Sequence, residues 1–480
     1  MYGTGGSHGP ETTSETVRTG GPVILAPAES ELARAFTDLR EMPVRVEVAD
    51  RRAHLAALAR EVRGAAEEIA QAIDADFGGR PRAETMLAEV GMVLENIRWT
   101  DRRLRVWMRP KKVRLGPEFW PSSGRIERAP LGVVGLLSPW NYPVQLALVP
   151  LVAALAGGNR AILRPSEFTP RTSALLREIV SRAVPDRVRV VLGGAEVAEA
   201  LTRLPLDGLF YTGSTETGRK VMAAAAETLT PVTLELGGKS PAVVLPDTDL
   251  DRAAASIMAG KLLNAGQTCV APDYLLAPRD RIPDLIAALK RAVARLYPQG
   301  EWSDYAAILR PDHRATLVGL LDGGQAVPLS ETMPEAPRLG PYAVPDPDPH
   351  GALMRHEIFG PILPILPYDE PAQAVGFVNA RPCPLALYVY GTDVAVCEEI
   401  VARIPSGGAM INDSVLHVSA HALPFGGAGE SGIGAYHGEE GVRAFTRPRS
   451  VLVRSRYAMI GLSRPPYGAR VERLIRFLLR

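Results

Sequence analysis

Between Gly132 and Leu236 the chain repeats one unit: a short apolar run, a turn, then a stretch with helical spacing. The apolar runs are "GVVGLLS", "NRAILR", "RVRVVLG", "DGLFYTG" and "PVTLEL"; the stretches between them include "VQLALVPLVAALAGG", "PRTSALLREIVSRA" and "AEVAEALTRL". Short runs without apolar/polar alternation suit strands buried on both faces, and strands separated by helices pair in parallel through crossovers. This pattern predicts an α/β fold built on a doubly wound parallel sheet. In such a sheet, ligands bind at the carboxyl ends of the strands.

The remaining sequence is arranged around that unit. A chain of 480 residues exceeds one ordinary domain, and from about Gly237 a second α/β run extends to about Phe425. Upstream, from Glu29 to Arg109, "HLAALAREVRGAAEEIAQAI" and "MLAEVGMVLENIRWTDRRL" predict two long amphipathic helices. The segment 110–130, "PKKVRLGPEFWPSSGRIERAP", reads equally as a β-hairpin arm or as a surface loop. Near the end, "ARVERLIRFLLR" sets Val471, Leu474, Ile475, Leu478 and Leu479 on one helical face opposite arginines. That face suits docking on the core or a partner subunit better than an anionic membrane surface. Residues 1–28 contain "GTGGSHG", but no strand precedes it and no helical pattern follows, so a disordered tail is expected rather than a phosphate loop.

Composition narrows the function. A net charge of +1 and 22% charged residues give no electrostatic reason to expect nucleic acid as a partner. Cys269, Cys383 and Cys397 are odd in number and outside any CxxC pair, so neither a disulfide framework nor a metal cluster is expected. A cytoplasmic setting fits, with no signal peptide and no membrane span. Only six of the 54 basic residues are lysine, a bias toward arginine.

Reactive residue types fall at the strand ends. Asn141 in "SPWNYP" follows "GVVGLLS"; Glu235 closes "PVTLEL"; Cys269 sits in "NAGQTCVAPDY". A thiol that attacks a carbonyl needs a donor pair for the developing alkoxide and a base that later activates water. Asn141 with the Cys269 backbone N–H, and Glu235, supply these. Singly, each has an ordinary explanation: a packed thiol, a turn asparagine, a solvated carboxylate. In "FYTGSTETGRK", Gly213, Ser214 and Gly218 open a helix whose N–H groups and dipole suit a pyrophosphate. Arg164 and Glu167 in "RPSEFTP" set a carboxylate near a strand end, where a ribose diol is held. "LGGKS" is not a phosphate loop, since the required upstream glycine is Thr233.

Taken in order, "PWNYP", "RPSE", "FYTGSTETG", "LELGGKSP", "NAGQTCVAPDY", "EIFGPILP", "NARPCPLALYVY", "GGAMINDSVLHV" and "LPFGGAGESGIGAYHGEEG" resemble the NAD(P)-dependent aldehyde dehydrogenase superfamily. The likeness runs from about residue 30 to the C-terminus. "GQTCVAPDY", "INDSVLHV" and "GAYHGEEG" look most like the branch holding the fatty-aldehyde and coniferyl-aldehyde dehydrogenases.

The resemblance implies a Rossmann-type dinucleotide-binding domain over 29–236, interrupted by a bridging hairpin at 110–130. It further implies an α/β catalytic domain over 237–426, a bridging segment over 427–480, and a small β oligomerisation arm. By match of motif, Cys269 is the nucleophile, Glu235 the general base and Asn141 the oxyanion donor. Trp140, Arg164, Glu167, Gly213, Ser214, Gly218, Glu357 and Phe359 surround the cofactor, and no metal is used. The implied partners are an aldehyde and a second copy in a homodimer. Relatives that transfer the acyl group to coenzyme A usually lack the glutamate, so Glu235 favours hydrolysis to the acid. Arg164 departs from the family's lysine. NAD is the expected cofactor, with NADP as the alternative.

Overall fold

The computed structural model describes residues 27–43, 46–322, 325–458 and 464–479. The expected tail, 1–28, lies outside these except for Pro27 and Ala28, which open the helix Pro27–Glu41. Two largely parallel sheets form the body, and a third, antiparallel sheet forms an arm.

The first sheet runs in the order Gly432–Ile433, Val232–Leu236, Gly208–Gly213, Val133–Leu137, Arg160–Arg164, Val188–Val190. All neighbours are parallel except the two-residue edge strand Gly432–Ile433. All five expected strands are therefore present. Val133–Leu137 comes first in the chain yet lies inside the sheet: successive crossovers build one edge through Arg160–Arg164, then the chain returns to the other side at Gly208–Gly213. The carboxyl ends of Val133–Leu137 and Gly208–Gly213 thus flank the point where the winding reverses, the place where such sheets open a crevice. The crossover helix Gln145–Gly157 is buried along its whole length, which explains why its sequence has no polar face.

The second sheet, Val327–Pro328, Tyr342–Pro345, Ile362–Tyr368, Tyr274–Pro278, Pro241–Val244, Ala386–Tyr390, Gly408–Ile411, is parallel except at its first pair. Its helix Leu250–Leu262 is capped by Asp249, which accepts from the backbone N–H groups of Asp251 and Arg252 at 3.1 and 3.2 Å. Such a cap contributes roughly 1 kcal/mol.

The helical region differs from expectation. Instead of two long helices there are Val48–Gly64 and Ala66–Phe77, then Arg82–Thr85, a π-helical turn Met86–Gly91, and Met92–Trp107. The first break falls at Ala65 (φ −94°, ψ 11°), and the apolar spacing continues across it, so periodicity alone does not reveal it. In the second, wider i→i+5 bonding accommodates an extra residue in the helix.

The segment 110–130 is a hairpin rather than a loop. Lys111–Val113 pairs with Ser123–Pro130, which pairs in turn with Thr446–Val453 from far along the chain. The C-terminal helix spans Ala469–Leu478. Ile475 is 42% and Leu479 82% exposed, so these two side chains are not docked on the chain's own core. Among the described residues no helix is long and apolar enough to cross a membrane, and no cluster of metal-ligating side chains occurs.

Candidate active site

The two strand ends at the reversal point and the first residues after Val232–Leu236 wall a cavity of about 210 Å³. It brings Asn141, Glu235 and Cys269 together with Trp140, Gly213, Ser214, Glu357 and Phe359. Leu146, Leu385, Phe425 and Tyr436 add apolar wall. Three expected residues lie elsewhere. Arg164 ends the neighbouring strand and is paired with Glu167 at 2.8 Å, and Gly218 sits inside the helix Thr215–Glu227, where a Cβ would strike Leu236.

Cys269 is aimed by an unusual backbone. Asn264, Ala265 and Gly266 have φ of 52°, 53° and 79°, so the chain turns through three successive left-handed residues before the thiol. At Gly266 only glycine fits, because a Cβ would collide with the Gly360 carbonyl. The turn is held from within. The Gln267 amide donates to the carbonyls of Asn264 (3.0 Å) and Ala307 (2.9 Å) and accepts from the Leu309 N–H (3.0 Å).

Asn141 is fixed at both ends. Its side-chain nitrogen donates to the Gln267 carbonyl at 3.1 Å, and its own carbonyl accepts from Asn264 at 2.8 Å and Arg80 at 3.1 Å. One amide hydrogen is thus committed within the protein; an amide carries two. Next to it, Tyr142 Oη meets Thr268 Oγ1 at 2.7 Å, tying the asparagine loop to the residue before Cys269.

Glu235 is 2% exposed and neither oxygen has a hydrogen-bond partner. Burial alone pushes its carboxyl well above the usual range. Burial also pushes the Cys269 thiol up, and the adjacent carboxyls of Glu357 and Glu235 act in the same direction. Both shifts favour the protonated forms, the one at Cys269 in a side chain that is only partly buried.

Glu357 and Phe359 are placed by two residues that sequence reasoning missed. Lys239 is ion-paired with Asp273 and donates to the carbonyls of Leu353 (2.8 Å) and His356 (2.9 Å). Asp273 in turn accepts from the Ile358 N–H at 2.9 Å. Lys239 is the lysine of "LGGKS", so that segment holds a loop rather than a phosphate. Phe359 has φ 52° and meets Trp140 edge-on at 5.4 Å between centroids. At Gly237 a Cβ would collide with the Glu357 carboxylate, so this glycine lets the Glu357 loop approach closely.

A second missed pair lies behind Asn141. Arg80 and Glu89 both have fully buried side chains and meet at 3.0 Å. The available signal was a charge on an apolar helical face: Glu89 falls among Val90, Val93 and Ile97.

The residues around these strand ends suit the phosphate and ribose groups of a dinucleotide. Ser214 caps the helix Thr215–Glu227, accepting from the Thr217 N–H at 3.3 Å, and leaves that helix N-terminus at the cavity wall for an anion. Buried polar atoms of Ser138, Thr212 and Arg164 around the same strand ends have no partner within the protein.

The sequence profile of the aldehyde dehydrogenase family matches residues 26–451. A probable coniferyl aldehyde dehydrogenase of Pseudomonas aeruginosa is 42% identical over 416 residues, covering 85% of this chain and 87% of the relative. Among solved structures, a substrate-bound state of Staphylococcus aureus AldH superposes with a TM-score of 0.87 at 33% identity, covering 93% of this chain and 99% of the other. A Mycobacterium tuberculosis aldehyde dehydrogenase complexed with NAD+ gives 0.80 at 30% identity, covering 90% of each. With these likenesses spanning both sheets and the cavity between them, the chain belongs to the aldehyde dehydrogenase family, and it is an NAD(P)-dependent aldehyde dehydrogenase.

Proposed function

We propose that Cys269 is the nucleophile, Asn141 the oxyanion donor and Glu235 the general base in oxidation of an apolar aldehyde to its carboxylic acid. The observation that carries this is the single cavity into which the three residues converge. Cys269 gives up its thiol proton to solvent, and the Sγ thiolate attacks the aldehyde carbon. The oxygen takes up the negative charge, against the free Asn141 amide hydrogen and the Cys269 backbone N–H. Trp140, Ser214, Glu357 and Phe359, with Glu167 at the ribose, would hold NAD(P)+, which would supply the hydride acceptor. Loss of hydride leaves a thioester on Cys269. Glu235 then takes a proton from water as the water oxygen attacks the thioester carbon. The C–S bond breaks, the thiolate is restored and the carboxylate departs.

The walls Leu146, Leu385, Phe425 and Tyr436 favour aliphatic or aromatic aldehydes over charged ones, and the coniferyl aldehyde dehydrogenase name of a 42% identical relative supports an aromatic substrate. NAD is the preferred cofactor and NADP the alternative: the Arg164–Glu167 pair keeps a carboxylate beside the expected ribose site, which suits a free hydroxyl and repels a phosphate. The arm exposes Trp120 (73%), Leu452 (48%) and Val453 (53%), which supports a homodimer, to be checked by light scattering. The substrate test is a panel of coniferyl aldehyde, benzaldehyde, medium and long aliphatic aldehydes and betaine aldehyde, followed by absorbance of the reduced cofactor. Highest kcat/KM on betaine aldehyde would refute the apolar-substrate proposal.

A further inference from the structure

We infer that Arg80 and Glu89 are positioning residues for the oxyanion donor, a fully buried ion pair whose task is to set the Asn141 loop against the Cys269 turn. The inference rests on the oxyanion role proposed for Asn141.

The pair reaches the loop at several points. Arg80 Nη1 bridges Glu89 Oε1 at 3.0 Å and the Asn141 carbonyl at 3.1 Å, and Arg80 Nε reaches Glu84 at 3.2 Å. Its guanidinium lies over the Tyr142 ring at 4.7 Å, and Tyr142 is bonded to Thr268. The second oxygen of Glu89 accepts from the N–H groups of Val144 (3.0 Å) and Gln145 (2.7 Å), where the buried helix Gln145–Gly157 begins. One ion pair therefore fixes the start of the loop at the Asn141 carbonyl and its end at the helix N-terminus.

Stability alone does not account for this arrangement. Desolvating two charges costs several kcal/mol per ion, and replacing a buried pair by neutral residues of similar volume is often neutral or stabilising. Glu89 also sits in the π-helical turn Met86–Gly91, a local irregularity often found at functional sites. The two groups are held by geometry, since every oxygen of Glu89 is used and Arg80 spends one nitrogen on the loop itself. An amide donor displaced by about 1 Å loses on the order of 10²-fold in rate.

The test is a mutant cycle with Asn141→Ala. Arg80→Met/Glu89→Gln removes both charges while leaving an oxygen acceptor for Val144 and Gln145. It should fold, with circular dichroism and NAD+ affinity by fluorescence titration within twofold of wild type, while kcat falls about 10- to 100-fold. In the Asn141→Ala background the same pair of changes should cost less than twofold further. Arg80→Lys, which keeps the charge but not the fork, serves if the double variant does not fold, with a smaller loss that Asn141→Ala again abolishes. Equal losses in the presence and absence of Asn141 would overturn the inference alone. An Asn141→Ala variant within threefold of wild type would overturn the oxyanion role, and the inference with it.

Discussion

Glu235 is a carboxyl 2% exposed with no partner on either oxygen, and burial is the sole cause of its raised pKa. Replacing it with glutamine has a consequence that does not involve turnover. In the unfolded chain this carboxyl ionises near its ordinary value of 4.5; in the folded chain it holds its proton to higher pH. Between those two values the unfolded state binds fewer protons, so wild-type stability falls as pH rises through the window. One pH unit is worth about 1.4 kcal/mol. Glutamine does not titrate and lacks this loss. With an unfolding entropy of about 2.1 cal/mol/K per residue, a chain of 480 residues has roughly 1 kcal/mol/K. The Tm of Glu235→Gln should therefore gain on wild type as pH rises from 4.5 toward the folded-state transition of Glu235, by at most about 1.4 °C per pH unit. Calorimetric scans of both proteins from pH 5 to 7.5 read the difference, in which the other carboxyls cancel. A difference that stays flat over that range would mean Glu235 ionises normally, and a base poised by burial would be the wrong description. The same shift gives a kinetic sign: a base acts when deprotonated, so deacylation should rise with pH through the Glu235 transition.

Cys269→Ala should abolish aldehyde-dependent NADH formation without unfolding the protein, and in the cofactor-free wild type iodoacetamide labelling of Cys269 should be slow at pH 7 and rise with pH. Fast, pH-independent labelling would contradict the suppressed thiolate. Asn141→Ala should lower kcat by on the order of 10²-fold with KM for the cofactor little changed; a loss confined to KM would assign it to binding instead. Glu167→Gln releases Arg164 from its carboxylate and should raise the NADP-to-NAD ratio of kcat/KM by on the order of tenfold, about 1.4 kcal/mol; an unchanged ratio would remove this pair from cofactor selection.

How much of this was legible in the sequence depended on whether the signal was local. Strands such as "GVVGLLS" and "PVTLEL" could be read because a parallel strand covered on both faces must be continuously apolar; Asn141 stood out just after one such run and Glu235 as the one charge near the end of another. The arm's third strand, Thr446–Val453, could not: its partner Ser123–Pro130 lies over 300 residues away. The breaks at Ala65 and Met86–Gly91 leave hydrophobic spacing intact, so they were read as continuous helix. Lys239 was not paired with Asp273 because the two lie 34 residues apart in the chain, whereas Arg80 and Glu89 are nine residues apart and Glu89 left a local signal, a charge among the apolar positions Val90, Val93 and Ile97.

The site divides into groups that are tied and groups that are left free, and the division follows their tasks. Asn141, Gln267, Lys239 and Asp273 each make two or more hydrogen bonds or ion contacts within the protein, so the Asn141 amide and the loop carrying Glu357 and Phe359 are fixed by the protein's own contacts. Glu235 has no partner for either oxygen, and burial is the largest cause that raises the Cys269 thiol's pKa, ahead of the Glu357 and Glu235 carboxyls. A group kept neutral by burial rather than by a fixed hydrogen bond responds to charge brought in from outside, because an opposite charge within about 4–6 Å favours the ionised form. The cavity that holds Cys269, Glu235 and Glu357 contains three groups whose ionised forms are negative. An oxidised nicotinamide ring bound in this cavity would supply that opposite charge when Cys269 must ionise, whereas Glu235 is proposed to act after the ring has taken the hydride and become neutral, so its deprotonation would have to come from pH rather than from the cofactor.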